Sequence, residues 1–249
     1  MVAKNDKSLG QHWLKNRVVL DEIADAARED TSAKVCVEIG PGLGTLTSSL
    51  LKRFDKVTAV EFDARLAENL PKSFPGKNLE VVNADFLKYD LDNIKTPYVV
   101  AGNIPYYITS PIIEKILKAK NLPEKAVLLI QKEVAERIVD TKETMLSLMV
   151  KNRADAELSV MVPRNEFTPP PKVDSQVIIL RPHLPILDDE AFKIIRLGFI
   201  APRKKLVHNL AALRPELEIK QIFRELNIDE NARPGDLHLE TWGKLIKRL

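Results

Sequence analysis

Of 249 residues only one is cysteine, nine are glycine and 6% are aromatic, and no apolar run approaches the ~20 residues needed to cross a bilayer. A single cysteine excludes a disulfide scaffold, and so little glycine excludes a collagen-like repeat. Four histidines, His12, His183, His208 and His238, are scattered, with no second ligand type at metal-binding spacing, so no metal site is expected. Neither sign of charge dominates: 38 Lys and Arg face 35 Asp and Glu, for a net charge of +3. That balance by itself says little about partners. Met1 to Gly10 is polar and carries no apolar signal-like stretch, so neither export nor membrane insertion is expected, and a cytoplasmic location is.

What is present is ample material for a packed core, with 45% hydrophobic and 29% charged residues, which excludes intrinsic disorder. The length allows one large domain, or one medium domain with a small appendage. Cys36 lies inside the apolar run Val35-Cys36-Val37, the setting of a buried, inert thiol. Basic residues gather at Lys4, Lys7, Lys15 and Arg17 and again at Arg203-Lys204-Lys205, both able to meet phosphate or simply to face water.

From residue 17 to about 130, helix-period segments alternate with short Val- and Ile-rich runs, the pattern of βα units on a parallel sheet. Helices are expected at Arg17–Arg28, Thr45–Arg53, Ala64–Leu70 and Ser110–Lys120, and strands at Lys34–Ile39, Lys56–Glu61, Leu79–Asn83, Tyr98–Gly102 and Ala126–Ile130. Helices at Lys132–Val139 and Thr144–Lys151 follow. Two strands, Ala156–Val162 and Val173–Leu180, then read as an antiparallel hairpin at the sheet edge. Pro182 and Pro185 mark a boundary, beyond which only helical patterns remain: Asp188–Phe199, Arg203–Leu213, Leu217–Leu226 and Leu239–Leu249. The expected fold is α/β, a doubly wound sheet over residues 1–183 with a small all-helical domain over 184–249.

Three signals carry chemistry. Glu38-Ile39-Gly40-Pro41-Gly42-Leu43-Gly44-Thr45 stands where a strand meets a helix, as in nucleotide-binding βα turns. Its Gly-x-Gly-x-Gly spacing differs from the dinucleotide fingerprint, and an acid two residues before the first glycine disfavours a pyrophosphate. A cationic nucleoside such as S-adenosyl-L-methionine suits it better. Glu61 ends the next strand, where a carboxylate can accept both ribose hydroxyls, and Asp85, followed by Phe86, ends the third, where it can meet a purine amino group. Each acid alone reads as a surface charge, but the ordered set reads as a ligand site. Asn103-Ile104-Pro105-Tyr106 follows the fourth strand. The exocyclic amine of adenine is a poor nucleophile because its lone pair is delocalised. The Asn103 side-chain oxygen and the Ile104 carbonyl can accept its two N–H groups while the Tyr106 ring stacks on a base taken out of its helix.

With these residues in view the chain resembles the ribosomal RNA adenine N6,N6-dimethyltransferases, in their small-subunit branch. The resemblance spans nearly the whole chain and rests on Leu9 to Leu14, Glu38 to Thr45, Asn103 to Tyr106, Gln131 to Arg137, the string Phe167 to Ser175, and Arg203-Lys204-Lys205. It implies a Rossmann-like class I methyltransferase sheet, S-adenosyl-L-methionine as cofactor and contacts to it from His12, Leu14, Gly40, Gly42, Glu61, Asp85, Phe86 and Asn103. It further implies a second base-stacking ring at Phe167 facing Tyr106, and RNA contacts from a basic helix beginning at Arg203, Lys204 and Lys205. The implied activity is dimethylation of two adjacent adenosines of small-subunit (16S) ribosomal RNA during ribosome biogenesis, by a monomer. The chain departs from the family's usual pattern at His12-Trp13, where Asn-Phe is common, at Thr144 to Leu148, and at Pro202 and Val207-His208. Two rivals stand beside this reading: methylation of large-subunit RNA, and a ribosome-assembly or transcription factor that keeps the fold as an RNA-binding module.

Overall fold

The computed structural model of the chain describes residues 11–249. Lys4, Lys7, Leu9 and Gly10, singled out in the sequence, lie outside the described residues. In chain order the elements are β1 (Trp13–Leu14), α1 (Arg17–Arg28), β2 (Val35–Ile39), α2 (Thr45–Leu50), β3 (Lys56–Glu61), α3 (Ala64–Asn69), β4 (Leu79–Asn83), β5 (Tyr98–Asn103), α4 (Thr109–Lys118), β6 (Lys125–Gln131), α5 (Lys132–Val139), α6 (Met145–Arg153), β7 (Ala154–Val162), β8 (Phe167–Thr168), β9 (Ser175–Pro182), α7 (Asp189–Gly198), α8 (Leu206–Leu210), α9 (Glu216–Glu225) and α10 (Leu239–Ile246).

Seven strands form one sheet in the order β4-β3-β2-β5-β6-β9-β7, while β1 and β8 pair separately. Strands β2 to β6 run parallel to their neighbours, and β9 runs antiparallel to β6. The central strands have almost no exposed residue, and their sequences are accordingly unbroken apolar runs such as Val99-Val100-Ala101 and Ala126 to Ile130. The two late strands are neighbours at the edge of the sheet, as expected, with the later one on the inner side. Val177 to Leu180 are buried, so β9 slots between β6 and β7, and only β7, whose residues alternate between exposed and covered, is left outermost. Helix α1 starts where the Asn16 side chain accepts the N–H groups of Val18 and Val19, and it lays Val19, Leu20, Ile23, Ala24 and Ala27 against the core.

Contacts gather the chain into two compact units: residues up to Ala135 with Asp155–His183, and Glu136–Ala154 with Leu184–Leu249. The segment 136–154 thus joins the helical unit, although the sequence break at 183 assigned it to the sheet. Side chains within that unit explain the placement. Asn152, buried in α6, donates from Nδ2 to the Leu187 carbonyl at 3.0 Å and accepts the Leu187 N–H at 2.7 Å. The Glu143 carboxylate, also buried, accepts from Lys151 Nζ (2.8 Å) and Ser147 Oγ (2.7 Å), and the Glu143 N–H meets the Gly235 carbonyl at 2.9 Å. Trp242, Phe223, Leu206 and Leu210 are buried in the same unit.

Asn152→Asp keeps shape and the bond from Leu187 N–H but turns an oxygen towards the Leu187 carbonyl. It should lower unfolding free energy by about 1–3 kcal/mol in urea titration. Wild-type stability in that variant would show that the clamp does not hold 184–188 in place.

Candidate functional site

Parallel pairing sets the ligand end of the first unit. Ile39 is level with Val60 on one side and Gly102 on the other, and Glu61 with Asn83, so the C-terminal ends of β2, β3, β4 and β5 finish side by side. A cavity of about 280 Å³ opens there. It is lined from the turn after β2 by Gly40 and Gly42, from β3 by Glu61 and Phe62, and from the end of β4 by Asp85 and Phe86. Asn103 through Tyr107 line it after β5, and Gln11, His12 and Trp13 from the N-terminal side.

Gly40 has φ +59°, and a Cβ built on it would touch nothing within 4 Å, so the turn leaves open space where a side chain would stand. A Cβ on Gly42 would come within 3.0 Å of the Trp13 indole nitrogen, which places that ring against the turn. Glu61 locks the turn: its carboxylate accepts the Gly42 N–H at 3.0 Å and the Asp63 N–H at 2.8 Å. Burial pushes the Glu61 pKa up, while those two N–H groups oppose the shift. A carboxylate has about four acceptor positions, so two remain for a ligand's hydroxyls. Asp85 accepts the Leu87 N–H at 2.9 Å, and the Phe86 ring stacks on Tyr89.

Asn103 Nδ2 donates to the His12 carbonyl at 2.8 Å, which fixes the amide and leaves Oδ1 as an acceptor. His12 is held in turn, because its Nδ1 lies 2.7 Å from the Pro169 carbonyl, and a carbonyl can only accept. The Tyr106 hydroxyl is 2.7 Å from Ser175 Oγ, and burial raises its pKa, so the phenol stays neutral. The His12 and Tyr106 rings stack with centroids 6.1 Å apart. Just behind the turn, Glu38 is buried with Oε2 unpartnered. Its pKa is pushed up to about 8, chiefly by burial, with Thr47 opposing and the nearby Glu61 adding to the rise.

The cavity therefore brings together ten of the residues read from the sequence: His12, Gly40, Gly42, Glu61, Asp85, Phe86, Asn103, Ile104, Pro105 and Tyr106. It does not include Leu14 or Phe167. These two are opposite each other in the β1–β8 ladder, and both sink into the apolar core. The ring that accompanies Tyr106 is His12, not Phe167, because the apolar Phe167 is drawn under the sheet while the polar imidazole finds a carbonyl at the cavity wall. Arg203, Lys204 and Lys205 belong to the second unit and are exposed. They do not begin a helix; α8 starts only at Leu206, whose N–H is taken by the Ala232 carbonyl at 2.7 Å, and three adjacent cations gain more from water than from a helical turn. Sequence reasoning gave no site role to Gln11, Trp13, Phe62 or Tyr107, although Gln11 and Trp13 stand inside the Leu9–Leu14 string and Tyr107 ends the string that begins at Asn103. For the last two a signal existed, a large aromatic placed directly after Glu61 and after Tyr106.

Among the described residues that line the cavity none is Lys or Arg, whereas Glu61 and Asp85 are acidic. That donor set, the open cradle at Gly40 and the unpartnered Glu38 oxygen beneath it fit a nucleoside carrying positive charge and no phosphate, and S-adenosyl-L-methionine is such a group. Sheet, glycine turn and acidic strand ends define a Rossmann-like class I methyltransferase. Two solved structures share this architecture along the whole chain. The dimethyladenosine transferase from Plasmodium falciparum superposes with a TM-score of 0.78 at 30% identity, covering 94% of this chain and 96% of that one. The 23S rRNA methyltransferase ErmE superposes at 0.76 with 31% identity, covering 95% and 99%. Residues 2–249 match the family described as ribosomal RNA adenine dimethylase, and the chain belongs to that family. Among its relatives, proteins named ribosomal RNA small subunit methyltransferase A from a Nostoc species and from Fusobacterium nucleatum are 40% and 37% identical, covering 98% and 99% of this chain and 97% and 98% of theirs.

Glu38 gives the site a testable pH signature. With its folded pKa raised from 4.5 to about 8, the folded chain holds a proton that the unfolded chain releases in that window. Its contribution is neutral below 4.5 and becomes destabilising as pH climbs towards 8. Glu38→Gln should therefore gain stability relative to wild type as pH rises through this range, by up to a few kcal/mol in paired thermal melts. A constant difference between the two proteins would remove the buried proton from the account.

Proposed function

We propose that the protein transfers methyl groups from S-adenosyl-L-methionine to N6 of adenosine, dimethylating two adjacent adenosines of small-subunit ribosomal RNA during ribosome biogenesis. The observation that carries this reading is the fixed Asn103 amide. Its nitrogen is committed to the His12 carbonyl, so its oxygen faces the acceptor side of a cavity whose other side is the glycine turn.

When bound, the cofactor supplies an electrophilic methyl on a sulfonium. The chain's own residues do the rest. Asn103 Oδ1 and the Ile104 carbonyl accept the two N6 hydrogens, which localises the nitrogen lone pair and directs it at the donor. Ile104 can do so reproducibly because its N–H is tied to the Leu129 carbonyl at 3.0 Å. Tyr106, anchored through Ser175, offers a face to the extruded base. Transfer is direct, with no covalent enzyme intermediate, so positioning supplies most of the rate. Glu61 holds the ribose and at the same time keeps the glycine turn in shape. Arg203, Lys204 and Lys205, exposed in the turn before α8, are suited to RNA phosphates.

The names of the relatives favour the small subunit over the large one, as does the string from Phe167 to Ser175. No helix among the described residues is long and apolar enough to cross a membrane, in keeping with work on ribosomal RNA in the cytoplasm. The enzyme is taken to act as a monomer.

Labelled methyl should pass from S-adenosyl-L-methionine to unmethylated small subunits and be recovered, after nuclease digestion, as dimethyladenosine. Asn103→Ala should lose at least about a hundredfold in transfer while retaining most affinity for the subunit. Transfer to large subunits alone would favour the rival target, and no transfer by a folded sample that binds subunits would favour a binding factor. In calorimetry Glu61→Ala should weaken cofactor binding at least tenfold, and unchanged affinity would refute the ribose contact.

A further inference from the structure

The mouth of the cavity carries two large, strongly exposed aromatic rings, Phe62 at 63% and Tyr107 at 64%. Their strands settle which side each serves. Phe62 follows Glu61 at the end of β3, and Tyr107 comes shortly after Asn103 at the end of β5, with β2 and its glycine turn between them. Two strand spacings separate those ends, about 10 Å. Phe62 thus stands on the Glu61 side, where the cofactor's nucleoside is read, and Tyr107 stands on the Asn103 side, where the acceptor base enters.

Tyr107 is also preorganised. It sits in the turn Tyr106–Ile108, where the Ile108 N–H bonds to the Pro105 carbonyl, Thr109 Oγ1 donates to the Tyr106 carbonyl, and the Tyr106 hydroxyl is held by Ser175. Its own side chain has no hydrogen-bond or ring partner among the described residues. These bonds fix the backbone from which the Tyr107 ring projects, and the ring itself extends into solvent at the mouth of the cavity.

Extruding the target adenosine strips its neighbour of a stacking partner and leaves one base face open to water. We infer that Tyr107 covers that face, stacking on the nucleotide next to the target while Tyr106 receives the target itself. This rests on the methyltransferase reading and extends it to a second subsite that recognises an unpaired neighbouring base. A π-face accepts any base, so the platform is sequence-tolerant. It would therefore serve with either adenosine as target, because whichever base lies on the same side of the target can fill the subsite.

The test is steady-state methyl transfer to small subunits by the full-length enzyme and by Tyr107→Ala, Tyr107→Phe and Tyr107→Trp. Tyr107→Ala should raise KM for the subunit about 5- to 150-fold, the equivalent of one lost base–aromatic stack, with kcat within about threefold. Tyr107→Phe and Tyr107→Trp should both restore KM, since the ring and not the hydroxyl makes the contact. Subunits reconstituted with an abasic nucleotide on one or the other side of the target should erase the difference between wild type and Tyr107→Ala for one of the two sides. A KM unchanged in Tyr107→Ala overturns the inference, as does a Phe variant as impaired as the Ala variant, or a difference that survives both abasic substitutions. Absence of transfer by the unsubstituted enzyme overturns the methyltransferase reading itself, a result distinct from any of these comparisons.

Discussion

One carboxylate sets the geometry of the ligand end. Glu61 accepts the N–H of Gly42 from the neighbouring turn and the N–H of Asp63 from its own loop, so a single buried side chain couples two strand ends and defines the floor of the cavity. Glycines alone make a turn permissive, but this bond selects one shape from those allowed. The cost is a partly desolvated negative charge next to a second buried acid, Glu38, and the raised pKa of both groups records it. A cationic ligand would relieve this repulsion. The same arrangement accounts for the lack of lysine or arginine among the described residues that line the cavity: such a residue would neutralise the pair permanently and compete with the ligand.

Much of the sheet was legible because its strands are buried on both faces and so must be apolar throughout, and because glycine and acid mark their ends. The bounds of Lys56–Glu61 and Leu79–Asn83 agree with the expectation to the residue. Less legible was anything set by competition between distant segments. Alternation in Ala156 to Val162 does signal an edge strand, yet nothing local says that the later β9 inserts ahead of it. Residues 136–154 look like two more helices of the sheet domain, and contacts such as those of Asn152 and Glu143, which reach residues 35 and 92 positions away, draw them into the helical unit.

At the site the polar residues with a chemical duty were legible, since chemistry restricts their identity. Two of the apolar assignments were not, although Phe86, Ile104 and Pro105 do line the cavity. Leu14 and Phe167 carry no mark that separates a ligand-facing ring or chain from a core-facing one, and the ladder between β1 and β8 turns both inwards. Conversely, His12 reads in sequence as a cofactor contact implied by resemblance and at a position that departs from the family pattern, with nothing to say what holds it. Its role becomes visible only when the Pro169 carbonyl, 157 residues away, and the Tyr106 ring are found on either side of it.

That reach of His12 has a consequence for how the protein is made. Asn103 is oriented by the carbonyl of residue 12, and residue 12 is oriented by a loop that emerges from the ribosome only after Pro169 has been synthesised. A growing chain could complete β2 through β6, with the glycine turn, Asn103 and His12 already made, and still lack the Pro169 carbonyl that holds His12. Competence therefore arrives late and all at once, when the first and last segments of the sheet unit close on each other. An enzyme that acts on ribosomal RNA would in this way have its acceptor amide aimed only after more than half of its own chain has been made.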